Sequence, residues 1–246
     1  MISKELITIL QKPVRFINLQ VRLKTSGSSK SWIQRHINDP YVKQAGKDNI
    51  RSRSAYKLQE LQDKYKIIKP TDFVVDLGAA PGGWSVVASK ILDFDRKALL
   101  ISVDLLDMDP IPFEGGNPDG HSVHFIRGDF NSVSVRDELQ RLGGLGRGDA
   151  GPRQANVVLS DMLQNTSGHA STDHFKSMDI CNSVLEFTEA YLQPGGHLLC
   201  KFFQGSDDQQ LLADAKAQFK STKLVKPKSS RTESREMYLL ALNKIG

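Results

Sequence analysis

Residues 73–85 read Phe73-Val74-Val75-Asp76-Leu77-Gly78-Ala79-Ala80-Pro81-Gly82-Gly83-Trp84-Ser85. A short apolar run ends in an acid, a loop rich in glycine follows, and helical spacing begins at Trp84 and runs to Leu92. A strand, a glycine loop and a helix in that order form the place where open α/β sheets bind ligands. Glycine permits positive φ and a close backbone approach, so the loop suits a bulky nucleotide-like group. Gly78 is followed by Ala-Ala-Pro rather than the spacing of a GxGxxG loop, and no lysine follows Gly83 as in a phosphate-binding loop. Both departures argue against a diphosphate cradle. An ordinary turn would account for one or two glycines, but not for Asp76, Pro81 and the Gly82-Gly83 pair together.

On either side the chain alternates. Residues 53–66 carry helical spacing through Ala55, Leu58, Leu61 and Tyr65. Further strands are predicted at Ala98 to Val103, Val123 to Ile126, Asn156 to Ser160 and His197 to Phe202, then near 222–226 and 236–242. Helices are predicted over Val133 to Leu142, residues 173–193 and about 207–219, with a glycine-rich loop from Gly143 to Gln154. Pro194-Gly195-Gly196 reads as the stop between the longest helix and the fifth strand. Strands alternating with helices give an α/β fold with a mainly parallel sheet covered on both faces.

Four consecutive strands close at or beside an acid: Asp76, Asp104, Asp129 and Asp161. Singly, such aspartates are most often loop or cap residues. As a set they suit a ligand with amine, ribose and adenine groups and no phosphate, which describes S-adenosylmethionine. Asp104 would accept hydrogen bonds from a ribose diol and Asp129 from an adenine amino group. Lys201 stands at the end of an apolar strand, where a charge is costly unless it serves a site. Taken as residues alone, Lys57 reads as part of a solvated helix face and Glu236 as a salt-bridge partner of Arg235 or Arg231.

The 246 residues are 39% hydrophobic and 25% charged, with a net charge of +5 and a pI near 9.1. That is ordinary for a folded chain with one sizeable core. No apolar run approaches the roughly 20 residues of a membrane span. Cys181 and Cys200 give neither a disulfide framework nor zinc-ligand spacing, which points to a reducing compartment, and the six scattered histidines form no metal cluster. Charge is unevenly placed. Residues 1–66 hold 14 Lys/Arg against 5 Asp/Glu and residues 216–246 hold 8 against 2, leaving an acidic centre. Basic ends around an acidic middle suggest a polyanionic partner. The first 25 residues are basic, amphipathic and acid-poor, the composition of a mitochondrial transit peptide, so residues 26–246 are expected to form the single domain.

Several ordered motifs carry a family resemblance. They are Trp32-Ile33-Gln34-Arg35-His36 with Asp39-Pro40-Tyr41-Val42-Lys43, Arg51-Ser52-Arg53-Ser54-Ala55-Tyr56-Lys57-Leu58, the 76–85 loop, Val103-Asp104-Leu105-Leu106 and Gly128-Asp129-Phe130. Ser160-Asp161-Met162, Cys200-Lys201-Phe202-Phe203-Gln204-Gly205 and Ser229-Ser230-Arg231 through Ser234-Arg235-Glu236-Met237-Tyr238 complete the set. In these the chain resembles the RrmJ/FtsJ ribosomal RNA 2′-O-methyltransferases, and especially their mitochondrial branch. The resemblance implies a Rossmann-like fold with a seven-stranded sheet and S-adenosylmethionine as methyl donor. It also implies a catalytic tetrad Lys57, Asp161, Lys201 and Glu236, and a donor site at Asp76, Gly78, Pro81, Gly82, Gly83, Trp84, Asp104, Asp129 and Asp161.

The implied substrate is large-subunit ribosomal RNA or the pre-ribosomal subunit in the mitochondrial matrix, with a uridine of the peptidyl-transferase A-loop as target. Lys30, Arg35, Lys43, Lys47, Arg51 and Arg53, with Lys223, Lys226, Lys228 and Arg231, would contact phosphates, which position RNA without reading sequence. Leu163-Gln164 stands where the family commonly has Ala-Pro. The alternative reading is an RNA-binding assembly factor with little or no catalytic role. A small-molecule methyltransferase or dehydrogenase fits the basic ends less well.

Overall fold

The structure, a computed structural model, describes residues 39–48, 50–113, 122–144, 153–164 and 166–246. Helices α1 (Pro40–Lys47) and α2 (Ser54–Tyr65) precede β1 (Phe73–Leu77), α3 (Gly83–Ile91), β2 (Leu99–Asp104) and β3 (Val123–Arg127). There follow α4 (Val133–Gly144), β4 (Ala155–Ser160), α5 (Ala170–Tyr191), β5 (Leu192–Phe203), α6 (Asp208–Gln218), β6 (Phe219–Val225) and β7 (Glu236–Lys244). No helix among the described residues is long and apolar enough to cross a membrane.

Alternation along each strand divides the interior into two cores, because successive side chains point to opposite faces. Val75, Ile101, Val158, Leu198 and Leu239 join Leu139 of α4, Phe187 of α5 and Leu211 of α6. Val74, Leu100, Leu159, Leu199 and Leu240 join Leu58 of α2 and Trp84 of α3. Burial on both faces is why these strands read as continuous apolar runs.

The strands lie in the order β3-β2-β1-β4-β5-β7-β6. β1 pairs in parallel with both β2 and β4, so the chain reverses direction across the sheet between β1 and β4, the switch point where such sheets bind ligands. β7 alone runs against its neighbours. Its first residues therefore lie at the sheet edge where the parallel strands end, and Glu236 pairs with Phe203 and Tyr238 with Lys201.

The largest difference from the sequence reading is at the fifth strand, while β6 also begins early, at Phe219 rather than near 222. Pro194-Gly195-Gly196 does not separate helix from strand, since β5 begins at Leu192, immediately after α5. Ala155 pairs with Leu192 and the next pair is Val157 with His197, so the ladder shifts register across residues 193–196. The turn residues make a bulge inside one long strand. Gly195 takes φ +80°, and a Cβ on Gly196 would stand 2.6 Å from Leu192 Cδ1 and 2.9 Å from the Gln193 carbonyl oxygen. Gly196→Ala is accordingly expected to lower stability by about 1–3 kcal/mol, read as a lower urea midpoint with an unchanged m-value.

Candidate active site

The β1–α3 loop folds back on β2: the Gly78 and Ala79 N–H groups both donate to the Val103 carbonyl (2.8 and 3.1 Å). Gly78 (φ +72°) faces Met162, and an added Cβ would lie 2.0 Å from Met162 Cγ. Gly82 (φ +99°) leaves 2.7 Å between such a Cβ and Arg51 Nη1. Gly83 opens α3, Pro81 and the buried Trp84 line a recess of about 230 Å³, and the Trp84 indole N–H donates to the Ser54 carbonyl. That recess meets a larger cleft of about 860 Å³ at Gly78, Ala80 and Asp161.

Three of the four strand-end acids border the cleft. Asp104 accepts from the Ala80 and Leu106 N–H groups, one on each oxygen at 2.8 Å, which fixes its plane while leaving lone pairs for a diol. Asp129 accepts from the Asn131 N–H (2.9 Å) and closes a turn. Asp76 lies deeper, in the lining of the small recess. The Ser85 hydroxyl donates to its Oδ2 (2.5 Å), Ser85 in turn meets Ser102, and Oδ1 has no partner among the described residues. Full burial pushes the Asp76 carboxyl up to about 7, opposed by the Ser85 bond and reinforced by the negative charges of Asp161 and Asp104.

Glycine positions without room for a Cβ, a cleft walled by acids and an orphaned buried carboxylate oxygen fit S-adenosylmethionine, which offers an amine, a diol and an adenine amino group. Asp76, Asp104 and Asp129, with the 78–84 loop, are the residues that would hold it.

Lys57, Asp161, Lys201 and Glu236 converge from α2, the end of β4, β5 and the start of β7. Lys57 (5% exposed) places Nζ 2.7 Å from Glu236 Oε2, and Lys201 (6% exposed) places Nζ 3.0 Å from Asp161 Oδ1. The Lys201 ammonium also donates to the Asp161 carbonyl at 2.5 Å. Burial pushes the Glu236 carboxyl up, but the charges of Lys57 and Lys201 outweigh it and leave the group below its ordinary value. The solvated face assigned to Lys57 and the arginine partner assigned to Glu236 are thus both corrected: the two residues pair with each other. Arg235 instead donates to the Ala170 carbonyl and lies over the Phe203 ring.

Tyr238 was not singled out as a site residue. It is fully buried, donates to Asp161 Oδ1 (3.0 Å) and lies under Lys57 Nζ (5.9 Å to the ring centroid). Burial and the negative charges of Asp161 and Glu236 hold its phenol well above the usual value, so it stays a donor. The available signal was strand periodicity, since Glu236 and Tyr238 share a face.

The basic residues divide. Lys30 and Arg35 lie outside the described residues, as do the side chains of Lys43 and Lys47 on α1. Arg51 donates to the carbonyls of Pro81, Asp109 and Pro110, tying the glycine loop to the segment after β2. Arg53 donates to the Ser229 carbonyl (2.6 Å), and Glu60 accepts from the Lys228 N–H, the Ser229 N–H and the Ser229 hydroxyl. These contacts fasten the 228–231 loop to α2. Lys226 donates to the Thr232 and Ser234 carbonyls, while the side chains of Lys223 and Lys228 are exposed and Arg231 is half-buried.

An α/β sheet with a donor-shaped cleft at its switch point and a buried lysine–carboxylate set beside it defines a group-transfer enzyme of the methyltransferase class. The FtsJ-like methyltransferase family matches residues 50–244, and the chain belongs to it. It is 40% identical over 234 residues to ribosomal RNA large subunit methyltransferase E of Rickettsia akari and 42% identical to that of Rickettsia bellii; both alignments cover 94% of this chain and 95% of the relative. The fold also matches a Plasmodium falciparum crystal structure described as a ribosomal RNA methyltransferase, with TM-score 0.62 and 31% identity over 80% of this chain and 99% of that one.

The Asp76 environment generates a pH test. A carboxyl raised in the folded state keeps its proton where the unfolded chain has lost it. The stability it contributes is complete below the unfolded value of 3.8 and falls as pH rises through about 7. Thermal unfolding between pH 4 and pH 8 should show that fall in the wild type and a flatter profile in Asp76→Asn, an equal slope in both arguing against the assignment.

Proposed function

We propose that this chain is an S-adenosylmethionine-dependent 2′-O-methyltransferase of large-subunit ribosomal RNA. Its target is a uridine of the peptidyl-transferase A-loop, its location the mitochondrial matrix, and its role support of large-subunit assembly. The observation that carries the chemistry is the pair of contacts that Lys201 makes with Asp161. An ammonium has three donor positions, and two are spent on Asp161, one on its side chain and one on its carbonyl. The third has no partner among the described residues, and a substrate oxygen reaching Asp161, which lines both cleft and recess, would be within its reach.

When bound, S-adenosylmethionine supplies a sulfonium methyl and departs as a neutral thioether. The chain's part is positioning, which supplies much of the acceleration in such transfers. Lys201 donates its remaining N–H to the ribose 2′-oxygen and orients it, and the Asp161 carboxylate takes up the hydroxyl proton as the new O–C bond forms and the donor's S–CH3 bond breaks. Tyr238 holds Asp161 in place. The Lys57–Glu236 pair fixes the far side of the ribose and keeps the local charge balanced. The kinship with rickettsial ribosomal RNA large subunit methyltransferases and the basic ends of the chain support ribosomal RNA as substrate. The acid-poor N-terminus supports the mitochondrial address.

Transfer of labelled methyl groups to mitochondrial ribosomal RNA and large subunits, followed by nucleoside digestion, tests the reaction. Label is expected in a 2′-O-methyl uridine, with Lys201→Ala lowering the rate by at least about 100-fold. Label on a base would overturn the chemistry, and assembly activity surviving in Lys201→Ala would favour the assembly-factor reading. For the address, residues 1–25 fused to a fluorescent reporter should carry it into mitochondria, whereas diffuse cytosolic signal would remove that part of the proposal.

A further inference from the structure

Lys176, on the α5 wall, is the single cation among the described residues lining the 860 Å³ cleft, which also exposes Asp104, Asp129, Asp161 and Asp179. Its ammonium makes no hydrogen bond or ion pair to any described residue. A lysine normally pairs or faces open water, and here it borders a cavity whose other charges are negative. The same side chain lines a second, separate recess with Leu163, Gln164, Asp173 and Phe203, the last of these two residues beyond Lys201.

Its neighbour Phe175 is 51% exposed and stands against the His174 ring, centroids 5.5 Å apart. His174 is buried and cannot turn: Nδ1 donates to the Phe203 carbonyl (2.7 Å), and Nε2 accepts from the Asp207 N–H (3.1 Å). Phe175 is thus an aromatic face backed by a fixed ring. Phe175 and Lys176 are successive residues of α5, about 100° apart around the helix, so a strand crossing the helix could stack a base on the ring and set a phosphate on the charge, the combination that holds single-stranded nucleic acid. α5 lies in the helix layer opposite α2, so this pair stands on the other side of the sheet from the clamped 228–231 loop.

We propose that Lys176 and Phe175 form a second RNA contact, with Lys176 binding a phosphate and Phe175 stacking a base of the strand flanking the target ribose. The inference rests on the RNA-methyltransferase reading and deepens it. The competing anion, a donor carboxylate, would need Lys176 but not Phe175.

The test measures binding of an A-loop RNA oligonucleotide to wild type, Lys176→Ala, Lys176→Arg and Phe175→Ala between 50 and 200 mM salt. Calorimetry with S-adenosylhomocysteine runs alongside. Lys176→Ala should weaken RNA about fivefold and flatten the log–log salt slope by about 0.7, one single-strand phosphate contact. Lys176→Arg should restore both. Phe175→Ala should weaken RNA about fivefold or more with the slope unchanged, and S-adenosylhomocysteine affinity should hold in all variants. RNA affinity equal to wild type in Lys176→Ala would overturn the proposal, and so would a loss confined to S-adenosylhomocysteine. Wild type that fails to bind or methylate RNA would sink the broader reading instead, so the two failures are distinguishable.

Discussion

Lys57 and Lys201 are almost wholly removed from water, and each is tolerable only because a carboxylate sits within 3.0 Å. Buried ion pairs are poor investments for stability alone, because desolvation consumes most of the attraction and apolar replacements often do as well. Two such pairs side by side, sharing Tyr238 between them, therefore speak for chemistry. They also constrain the architecture. Lys57 enters from a helix, Asp161 and Lys201 from parallel strands, and Glu236 from a strand of opposite sense, so the site exists only when the whole sheet edge has formed.

The reversed direction of β7 makes this convergence possible. A parallel seventh strand would deliver its last residues to the active edge and bury its first ones at the other end. Running antiparallel, β7 presents Glu236 and Tyr238 at the level of Phe203 and Lys201. The face is set by the same alternation that sorts the cores. Tyr238 shares its side with Leu199 and Leu240, the side that α2 covers, which is why Lys57 on α2 can reach Glu236.

The sheet was largely legible because its central strands are buried on both faces and so stand out as apolar runs of strand length. β1 begins and ends where its residues said it would, whereas Pro194-Gly195-Gly196 misled because turn chemistry serves equally to bend a strand and to end one. The site was legible in unequal parts. Asp76, Asp104, Asp129 and Asp161 could be found by their place at strand ends, a local property. Lys57 and Glu236 could not, since each is unremarkable until its partner, 179 residues away, is beside it. Only the ordered motifs of the family brought them forward. Arg51 shows the converse: its charge suggested a phosphate, while its guanidinium is engaged with three backbone carbonyls.

Glu60 raises a related question, why an acid should stand in the middle of a basic face. Both of its oxygens are turned onto the backbone N–H groups of Lys228 and Ser229, so its charge is absorbed by the loop it anchors and repels an incoming phosphate less than an open carboxylate would. Glu60 lies three residues after Lys57, on the adjacent turn of α2. One rigid helix thus fastens the loop whose lysine and arginine we assign to RNA, through Glu60, and sets the buried ion pair, through Lys57. Any displacement of that loop by a bound strand bears on the helix that positions Glu236. On the proposed reading, RNA docking and the geometry of the tetrad would be joined through a single turn of helix, from Glu60 at the loop to Lys57 at Glu236.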